Sequence, residues 1–354
     1  MKIAFLVGSL AGGGAERVVS EISSEMANCG HDVSVILIAS TEQTYSVAPG
    51  VNIVDCSKKY KSFGLFHRVK AIRKSLKHLK VDVCISFTVA VNIYAALSCV
   101  GLPLKLILAE RNDPRYDPTG KLMRILRKAL YPVADNFVFQ TDGEKEFFSK
   151  RIQRKSVVIP NPVNPLLPEP YSGKRTDRFV MAGRLAPQKN IKMAIDAFTS
   201  FSKIHPEFQL EIYGNGSLKE ELSLYIREKS MVGKIILKGA TTTLYTDILD
   251  AYGFLLSSDY EGISNSMLEA MALGIPTIST DYPSGGAREF INDKENGMLV
   301  PVGDSEKMCE CMCFLVENAD AASSIGKNGY LLRNKLSVDK IVEKWIDYIL
   351  ECVK

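Results

Sequence analysis

Short apolar runs rich in β-branched residues alternate with amphipathic helical segments along this chain, and the pattern occurs twice. Buried strands separated by helices predict a parallel, doubly wound α/β sheet in each half. In the first half we predict strands at 3–8, 33–39, 51–55, 82–87, 104–109, 135–139 and 156–159, with helices at 15–28 and 66–79. In the second half we predict strands at 178–183, 208–213, 235–238, 253–256, 276–280 and 297–300, with helices at 190–204, 216–229, 265–273 and 304–318.

A proline-rich run lies between the two halves. Five prolines fall within residues 160–170, which excludes a helix or a central strand there. The 354 residues also exceed the roughly 250 to 300 that one core usually supports. We therefore predict a first domain at 1–160, a linker at 161–171, a second domain at 172–336 and a C-terminal helix at 337–354 that packs back on the first domain. Doubly wound domains bind ligands at the carboxyl ends of their strands, so we expect the site in a cleft between the domains.

Composition excludes several classes of protein. A hydrophobic fraction of 46% with 24% charged residues excludes a disordered chain, and a net charge of +4 gives no argument for nucleic acid. The eight cysteines contain no Cys-x-x-Cys pair, and Cys309, Cys311 and Cys313 are two residues apart, a spacing that points to different helix faces. We expect them to be small apolar fillers, without metal or disulfides. No apolar stretch reaches the ~18 residues of a spanning helix, and the N-terminus is typical of a strand, so we expect a cytoplasmic protein.

Three consecutive glycines, Gly12 to Gly14, precede the first helix. Glycine lets the backbone approach a ligand closely, and the helix N-terminus offers free N–H groups to a phosphate or a sugar hydroxyl. A tight strand-to-helix turn explains the same residues equally well. The dinucleotide pattern Gly-x-Gly-x-x-Gly is absent because Arg17 stands at its last position, which disfavours a nicotinamide cofactor.

Two cations follow the first strand of the second half. Arg184 comes directly after Gly183, and Lys189 lies five residues later, just before a predicted helix. Such a pair can neutralise a diphosphate, with Arg184 as a bidentate fork and Lys189 as a point charge. Surface cations after a strand are nevertheless common.

Two carboxylates, Glu261 and Glu269, stand eight residues apart. Glu261 falls in the loop after a strand, and Glu269 lies about one turn into a helix capped by Ser264 or Asn265. We expect both carboxylates to face the cleft, with the N–H groups of residues 264–266 stabilising an anionic leaving group. In the alternative interpretation Glu261 is a loop charge and Glu269 a buried cap partner.

With these motifs the chain resembles the retaining glycosyltransferases of family 4, which have the GT-B fold of two Rossmann-like domains facing a cleft. The resemblance covers nearly the whole chain. It depends on the order and spacing of Gly12-Gly13-Gly14-Ala15-Glu16-Arg17, Asn161-Pro162-Val163, Gly183-Arg184-Leu185 with Lys189-Asn190, Glu261 with Glu269, Glu269-Ala270-Met271-Ala272-x-Gly274-x-Pro276 and Asn296-Gly297-Met298-Leu299-Val300.

The resemblance implies a role for each matching residue. Arg184 and Lys189 would clamp the diphosphate of a nucleotide sugar, Glu269 would bind the ribose, and Glu261 would bind the transferred sugar. The other implied donor-binding residues are Gly13, Gly14, Gly239, Ser264, Asn265 and Ser266, with the Gly13-Gly14 loop closing over the diphosphate or the acceptor. Many members place a histidine where this chain has Arg111, so Arg111 or Glu110 is the substitute. The resemblance further implies a same-face displacement without a metal, which agrees with the lack of an Asp-x-Asp motif.

Cations cluster in the first half, between Lys58 and Lys80 and again on a segment with Lys121, Arg124, Arg127 and Lys128. Either cluster is a solvated helix face or a surface for anionic lipid or a polyprenyl-pyrophosphate-linked sugar. Phe63, Leu65 and Phe66 beside the first cluster favour the second interpretation. The candidate acceptor residues are Arg68, Arg73, Lys74 and Lys77.

We therefore expect a retaining glycosyltransferase that moves a hexose or N-acetylhexosamine from a nucleotide sugar to a glycan or lipid-linked acceptor. UDP is preferred as the commonest carrier, and the resemblance suggests bacterial capsule, O-antigen or glycan assembly on the inner face of the membrane. The alternatives are a UDP-sugar 2-epimerase and a non-catalytic nucleotide-sugar-binding subunit. We expect no cofactor and no nucleic-acid partner.

Overall fold

The computed structural model describes residues 1–57 and 64–354. The chain forms two compact units, one made of Met1–Pro162 with Leu336–Lys354 and the other of Val163–Lys335. Lys58, Lys59, Lys61 and Phe63 of the first cationic cluster lie outside the described residues. No helix in the described part is both long enough and apolar enough to cross a lipid bilayer.

The first unit contains a seven-stranded parallel sheet in the order β3-β2-β1-β4-β5-β6-β7. Its central strands are buried on both faces, which explains their continuous apolar runs. All seven predicted strands are confirmed within one or two residues. They are β1 (Lys2–Val7), β2 (Asp32–Leu37), β3 (Val51–Asp55), β4 (Val83–Phe87), β5 (Lys105–Ala109), β6 (Asn136–Phe139) and β7 (Ser156–Val158). The helices are α1 (Gly14–Asn28), α2 (Leu65–Leu79), α3 (Val89–Cys99), α4 (Lys121–Leu130), α5 (Asp142–Phe147) and α6 (Lys150–Gln153).

The second unit contains a six-stranded parallel sheet in the order β10-β9-β8-β11-β12-β13. Its strands are β8 (Thr176–Ala182), β9 (Gln209–Tyr213), β10 (Ile235–Gly239), β11 (Ala251–Leu256), β12 (Thr277–Thr280) and β13 (Met298–Val300). Its helices are α7 (Ile191–Phe201), α8 (Lys219–Glu228), α9 (Leu244–Asp247), α10 (Asn265–Ala272), α11 (Ser305–Glu317), α12 (Ala319–Tyr330) and α13 (Leu332–Lys335). The predicted α/β class is therefore confirmed for both halves.

The strand order reverses once in each sheet, between β1 and β4 in the first unit and between β8 and β11 in the second. At such a switch point the loops after the two strands diverge and leave room for a ligand. In the second unit these loops are residues 183–190 and 257–264, which carry the predicted diphosphate clamp and Glu261. The sheet topology and the sequence motifs therefore indicate the same two loops as the ligand site of the second unit.

After the second unit the chain returns to the first as α14 (Val338–Val353), which packs against α1. Ile341, Trp345, Ile349 and Cys352 are buried along one side of α14. Tyr348 is only half-buried, and its hydroxyl donates to the Lys155 carbonyl at 2.8 Å. The single tryptophan of the chain thus lies in the core of the first unit.

Candidate functional site

Lys189 and Glu261 form an ion pair at the switch point of the second unit, where Lys189 follows β8 and Glu261 follows β11. Their side chains are only 15% and 11% exposed, so the pair is largely desolvated. Gln188 Nε2 donates to Glu261 Oε2 at 2.9 Å, and Ser258 Oγ donates to Oε1 at 2.9 Å. The carboxylate is therefore held by three donors that come from two loops.

Further hydrogen bonds join the same two loops. Asn190 Nδ2 donates to Asp259 Oδ1 at 2.7 Å, and the Asp259 N–H donates to the Gln188 carbonyl at 2.9 Å. Ser257 Oγ donates to the Lys189 carbonyl at 2.8 Å. Asn190 has a φ of +40°, in the left-handed region that asparagine tolerates better than most residues. Lys189 is thus positioned by its backbone as well as by its charge partner.

Arg184 differs from Lys189, although the sequence predicts the two as one clamp. It is exposed, and within residues 1–57 and 64–354 its guanidinium makes no ion pair or side-chain hydrogen bond. Lys189 instead neutralises Glu261. Arg184 is the cation of this loop that can accept an incoming anion without first losing a partner.

Helix α10 begins after Ser264, but no side chain caps its N-terminus. Ser264 is the N-cap residue, as predicted, but its hydroxyl faces that of Ser266 at 3.2 Å and makes no capping hydrogen bond. The first-turn N–H groups of an uncapped helix favour an anion. Glu269 lies one turn into α10 and is 5% exposed, close to these groups in sequence and on the same helix.

A second close crossing of backbone lies in this unit and is not predicted from the sequence. An added Cβ would lie 1.8 Å from the Gly183 carbonyl oxygen at Gly214 and 2.2 Å from that of Leu185 at Gly216. Only glycine fits there, and the signal was the Gly-Asn-Gly run directly after β9. The predicted donor residue Gly239 supports this crossing, since its carbonyl accepts from the Gly214 N–H at 2.8 Å.

In the first unit, Gly13 caps α1 and Gly14 is its first residue. The Glu16 carboxylate folds back over Gly13, where an added Cβ would lie 1.9 Å from Glu16 Oε2. A carboxylate therefore already faces the positive end of this helix. Of the two predicted ligands, a sugar hydroxyl suits this position better than a phosphate, which Glu16 would repel.

Arg111, after β5, is held by two aromatic rings and one hydrogen bond. Its Cζ lies 4.3 Å from the centre of the Phe87 ring and 5.6 Å from that of Trp345, and Nη1 donates to Asn161 Oδ1 at 3.0 Å. Nε and Nη2 are buried and have no hydrogen-bond partner among the residues described. These two N–H groups share one edge of the guanidinium, the edge that binds a pair of oxygens. Burial lowers the pKa of Arg111 to about 10, so it remains a cation at neutral pH.

Two buried carboxyl groups lie near Arg111. Glu110 accepts a hydrogen bond from the Tyr131 hydroxyl, which in turn accepts from Asn92 Nδ2 at 3.0 Å. Burial raises the pKa of Glu110 to about 7. Burial also raises the pKa of Glu144 well above its usual range, although Glu144 Oε2 accepts from the Gln140 N–H at 2.8 Å. Protonated carboxyl groups leave the charge of Arg111 less compensated and more available to an anion.

The cationic residues of α2 divide into two groups. Arg73 donates to the carbonyls of Ser98 at 3.0 Å and Val100 at 2.5 Å, and Arg68 lies over the Tyr94 ring at 5.6 Å. Both therefore tie α2 to α3. Lys74 and Lys77 are exposed, and neither makes an ion pair in the described part of the chain.

The second basic segment, α4, differs from its prediction. Arg127 is 6% exposed and donates to the carbonyls of Asp117 at 2.7 Å and Pro114 at 2.9 Å. It therefore fixes the loop after β5 and does not belong to a basic surface. Leu122 and Ile125 of the same helix are 67% and 64% exposed, next to exposed Lys121 and Lys128.

Among the described residues, one group of His, Cys and acidic side chains brings three potential metal ligands together. These are His205, Cys313 and Glu317, whose ligand atoms all lie within 4.8 Å of one another. His205 lies in the loop after α7, and Cys313 and Glu317 lie in the last turns of α11. These two helices follow β8 and β13 and therefore end at the amino edge of the sheet. This group is thus separate from the loops at the carboxyl edge.

Comparison with known proteins shows the family of the chain. The family described as "Glycosyl transferases group 1" matches residues 169–332, and "Glycosyltransferase Family 4" matches residues 12–165. This chain belongs to the family 4 glycosyltransferases. The group 1 match contains Arg184, Lys189, Glu261 and Glu269, and the family 4 match contains Gly13, Gly14 and Arg111.

Relatives of this glycosyltransferase extend over its whole length. An uncharacterized glycosyltransferase of Haemophilus influenzae is 27% identical over 97% of this chain and 98% of the relative. The GalNAc-alpha-(1->4)-GalNAc-alpha-(1->3)-diNAcBac-PP-undecaprenol alpha-1,4-N-acetyl-D-galactosaminyltransferase of Campylobacter jejuni is 25% identical over 99% of both chains. The crystal structure of Anabaena HepE in complex with UDP and glucose has a TM-score of 0.83, with 17% identity over 99% of this chain and 100% of that one. The fold is therefore GT-B.

Proposed function

We propose that this glycosyltransferase moves a hexose or N-acetylhexosamine from a UDP-sugar to a polyprenyl-pyrophosphate-linked glycan, with retention of anomeric configuration. The observation that carries the proposal is the Lys189–Glu261 pair at the switch point of the second unit, beside exposed Arg184 and the uncapped N-terminus of α10. These groups offer two cations and the N-terminal turn of α10 to a diphosphate, and carboxylates to sugar hydroxyls. UDP as the carrier is supported by the Anabaena complex, and the lipid-linked acceptor by the Campylobacter relative.

In the proposed reaction the second unit stabilises the leaving group. Arg184 binds the diphosphate first because its charge is not engaged, and Lys189 shares its ammonium between Glu261 and the developing charge. Glu269 binds the ribose, and Glu261 binds the transferred sugar. The departing phosphate oxygen takes the acceptor proton on the same face, so no enzymic nucleophile and no metal ion is required.

Arg111 takes the role in the first unit for which the family commonly uses histidine. The two buried N–H groups on its Nε–Nη2 edge would bind a pair of oxygens of the reacting sugar or its diphosphate. A guanidinium cannot act as a proton acceptor at neutral pH, so its contribution is binding and charge stabilisation. Glu110 acts on Arg111 through its charge, and we do not assign it a proton transfer.

For the acceptor, the geometry favours the outer face of α2 over its inner face. Lys70, Lys74 and Lys77 follow one another at helical spacing and are exposed, whereas Arg73 is engaged by backbone carbonyls. We assign the pyrophosphate of the acceptor to these lysines. Exposed Leu65 and Phe66 at the start of α2, and Leu122 and Ile125 of α4, would contact an anionic membrane surface.

The experiment combines purified protein, a panel of UDP-sugars and a polyprenyl-pyrophosphate-linked glycan, with mass spectrometry of the lipid product and NMR of the new linkage. We expect UDP release that depends on the acceptor, and an α-linkage from an α-linked donor. Isomerisation of the donor without acceptor would instead support the 2-epimerase, and donor binding without turnover would support a non-catalytic subunit. The relatives named above are glycosyltransferases and give neither alternative support.

A further inference from the structure

Helices α7 and α11 pack side by side on one face of the second sheet. At their ends, His205 and Glu317 meet, with His205 Nε2 at 3.8 Å from Glu317 Oε1. Cys313 lies one helical turn before Glu317, and its sulfur is within 4.8 Å of the ligand atoms of both. The group therefore offers one nitrogen, one sulfur and one oxygen to a single point.

The histidine is already oriented as in many metal sites. Its ring stacks on Phe201 with centroids 4.9 Å apart, which fixes the ring plane. Nδ1 faces Glu207 Oε1 at 3.6 Å, on the side away from Cys313 and Glu317. This separation is too long for a hydrogen bond, so Glu207 would select the tautomer that leaves Nε2 to a metal once the two groups move a few tenths of an ångström closer.

His205 Nε2 is also a buried polar atom with no hydrogen-bond partner among the described residues. The 3.8 Å gap to Glu317 is too long for a hydrogen bond. It is a few tenths of an ångström longer than the spacing of a nitrogen and an oxygen ligand on one tetrahedral ion, which is about 3.3–3.5 Å for bonds of about 2.0–2.2 Å. Bringing the Cys313 sulfur to the roughly 3.5 Å spacing of a thiolate ligand requires a movement of about 1.3 Å at most.

From this geometry we infer a structural site for Zn²⁺ formed by His205, Cys313 and Glu317, with water as the fourth ligand and Glu207 orienting the histidine. The combination of imidazole, thiolate and carboxylate suits a borderline metal such as Zn²⁺ and not Mg²⁺ or Ca²⁺. The ion would tie the end of α7 to the end of α11. Since both ends lie at the amino edge of the sheet, the ion stabilises the fold and takes no part in the transfer reaction.

This site is not predicted from the sequence for two reasons. The spacing of two within Cys309, Cys311 and Cys313 points to different helix faces, whereas Cys309 and Cys313 are four residues apart on one face, with Glu317 following at the same interval. Their thiols do interact, with Cys309 donating to Cys313. His205 lies in the loop after α7, more than 100 residues earlier in the sequence, so spacing rules for zinc motifs do not find it.

The test uses the full chain, stripped of metal under reducing conditions and then titrated with Zn²⁺ in a calorimeter and with Co²⁺ in a spectrophotometer. We expect binding of one ion, the near-ultraviolet charge-transfer band of a cobalt–thiolate bond, and a higher Tm with Zn²⁺. Cys313→Ser should abolish the band and the Tm increase. Cys29→Ser is the matched control, because it removes an exposed thiol of the other unit, and it should change neither.

Glu207→Gln distinguishes a metal site from an adventitious thiol, because it leaves all three ligands in place but removes the carboxylate behind His205. We expect it to weaken Zn²⁺ binding about 10-fold or more. An absent cobalt–thiolate band in the wild type would overturn the inference. So would a band that persists in Cys313→Ser, or Zn²⁺ binding that is indifferent to both Cys313→Ser and Glu207→Gln.

Discussion

Lys189 and Glu261 are 72 residues apart in sequence, and they illustrate what a single residue contributes to the candidate site. Removing the ammonium leaves a nearly buried carboxylate with only Gln188 and Ser258 as donors. Removing one partner of a buried pair costs more than removing both, because the uncompensated charge stays in a low dielectric. The pair therefore has separable roles in stability and in chemistry.

We predict that Lys189→Met lowers the free energy of unfolding by about 2 kcal/mol and that Glu261→Gln in the same chain restores more than half of the loss. Both variants should lose at least about 100-fold in kcat/KM, because neither retains the cation that faces the leaving group. Urea unfolding and initial-rate assays measure the two effects. Equal stability of the single and double variants would show that the ion pair does not hold the loops together.

A second prediction concerns Glu110, whose pKa is raised by burial from 4.5 to about 7. Between pH 4.5 and about pH 7, the folded chain holds a proton that the unfolded chain has lost. The contribution of Glu110 to stability is therefore fully present below about pH 4.5 and declines as the pH rises toward about 7. Glu110→Gln keeps an oxygen that accepts from Tyr131 and removes the titration. Between about pH 4.5 and about pH 8, we expect the free energy of unfolding of wild type to fall by on the order of 3 kcal/mol or less relative to that of Glu110→Gln. If the free energies of unfolding of wild type and Glu110→Gln, measured in urea, changed equally with pH, the raised pKa of Glu110 would be contradicted.

At the scale of elements, α14 links the end of the chain to Arg111. Trp345 is fully buried, stacks on Phe87 at 5.9 Å and lies beside the Arg111 guanidinium. Because it is the only tryptophan, its fluorescence reports on Arg111 without labelling. We therefore expect Trp345 to position Arg111 and to serve as a probe of ligand binding there.

We predict that a saturating substrate changes the emission of Trp345 in wild type and leaves it unchanged in Arg111→Met. Trp345→Phe should reduce kcat/KM about 10-fold through kcat, since the smaller ring holds the guanidinium less firmly. A matched fall in Tm and activity would indicate a merely structural tryptophan. If substrate changed the Trp345 emission of Arg111→Met as much as that of wild type, Arg111 would not bind the substrate.

The two faces of α2 allow an effect on acceptor binding to be distinguished from an effect on stability. We predict that Lys74→Glu with Lys77→Glu raises KM for the lipid-linked acceptor about 10-fold or more without changing KM for the UDP-sugar, and that added salt reduces the difference. Arg73→Ala, on the inner face, should lower Tm instead, because two backbone carbonyls lose their donor. Unchanged acceptor kinetics in the lysine variant would place the acceptor elsewhere.

At the scale of the whole molecule, the strands and most helices followed from the sequence because the central strands are continuous apolar runs buried on both faces and helical patterns separate them. The start of α8 at Lys219 did not, since Gly214 and Gly216 are required by a crossing with residues 183–185 that is distant in sequence. The site loops were predictable from strand ends, but the partners of Arg127, Arg73 and Lys189 were not. Whether a cation faces solvent, a carbonyl or a carboxylate depends on tertiary contacts, which local pattern does not encode.

The most direct measurement of the central claim follows UDP release from a UDP-sugar with and without a polyprenyl-pyrophosphate-linked glycan, in wild type and in Lys189→Met. Our account predicts release only with the acceptor, together with a glycan extended by one sugar, and the loss of both in the variant. Turnover that needs no acceptor, or transfer that survives Lys189→Met unchanged, would contradict it.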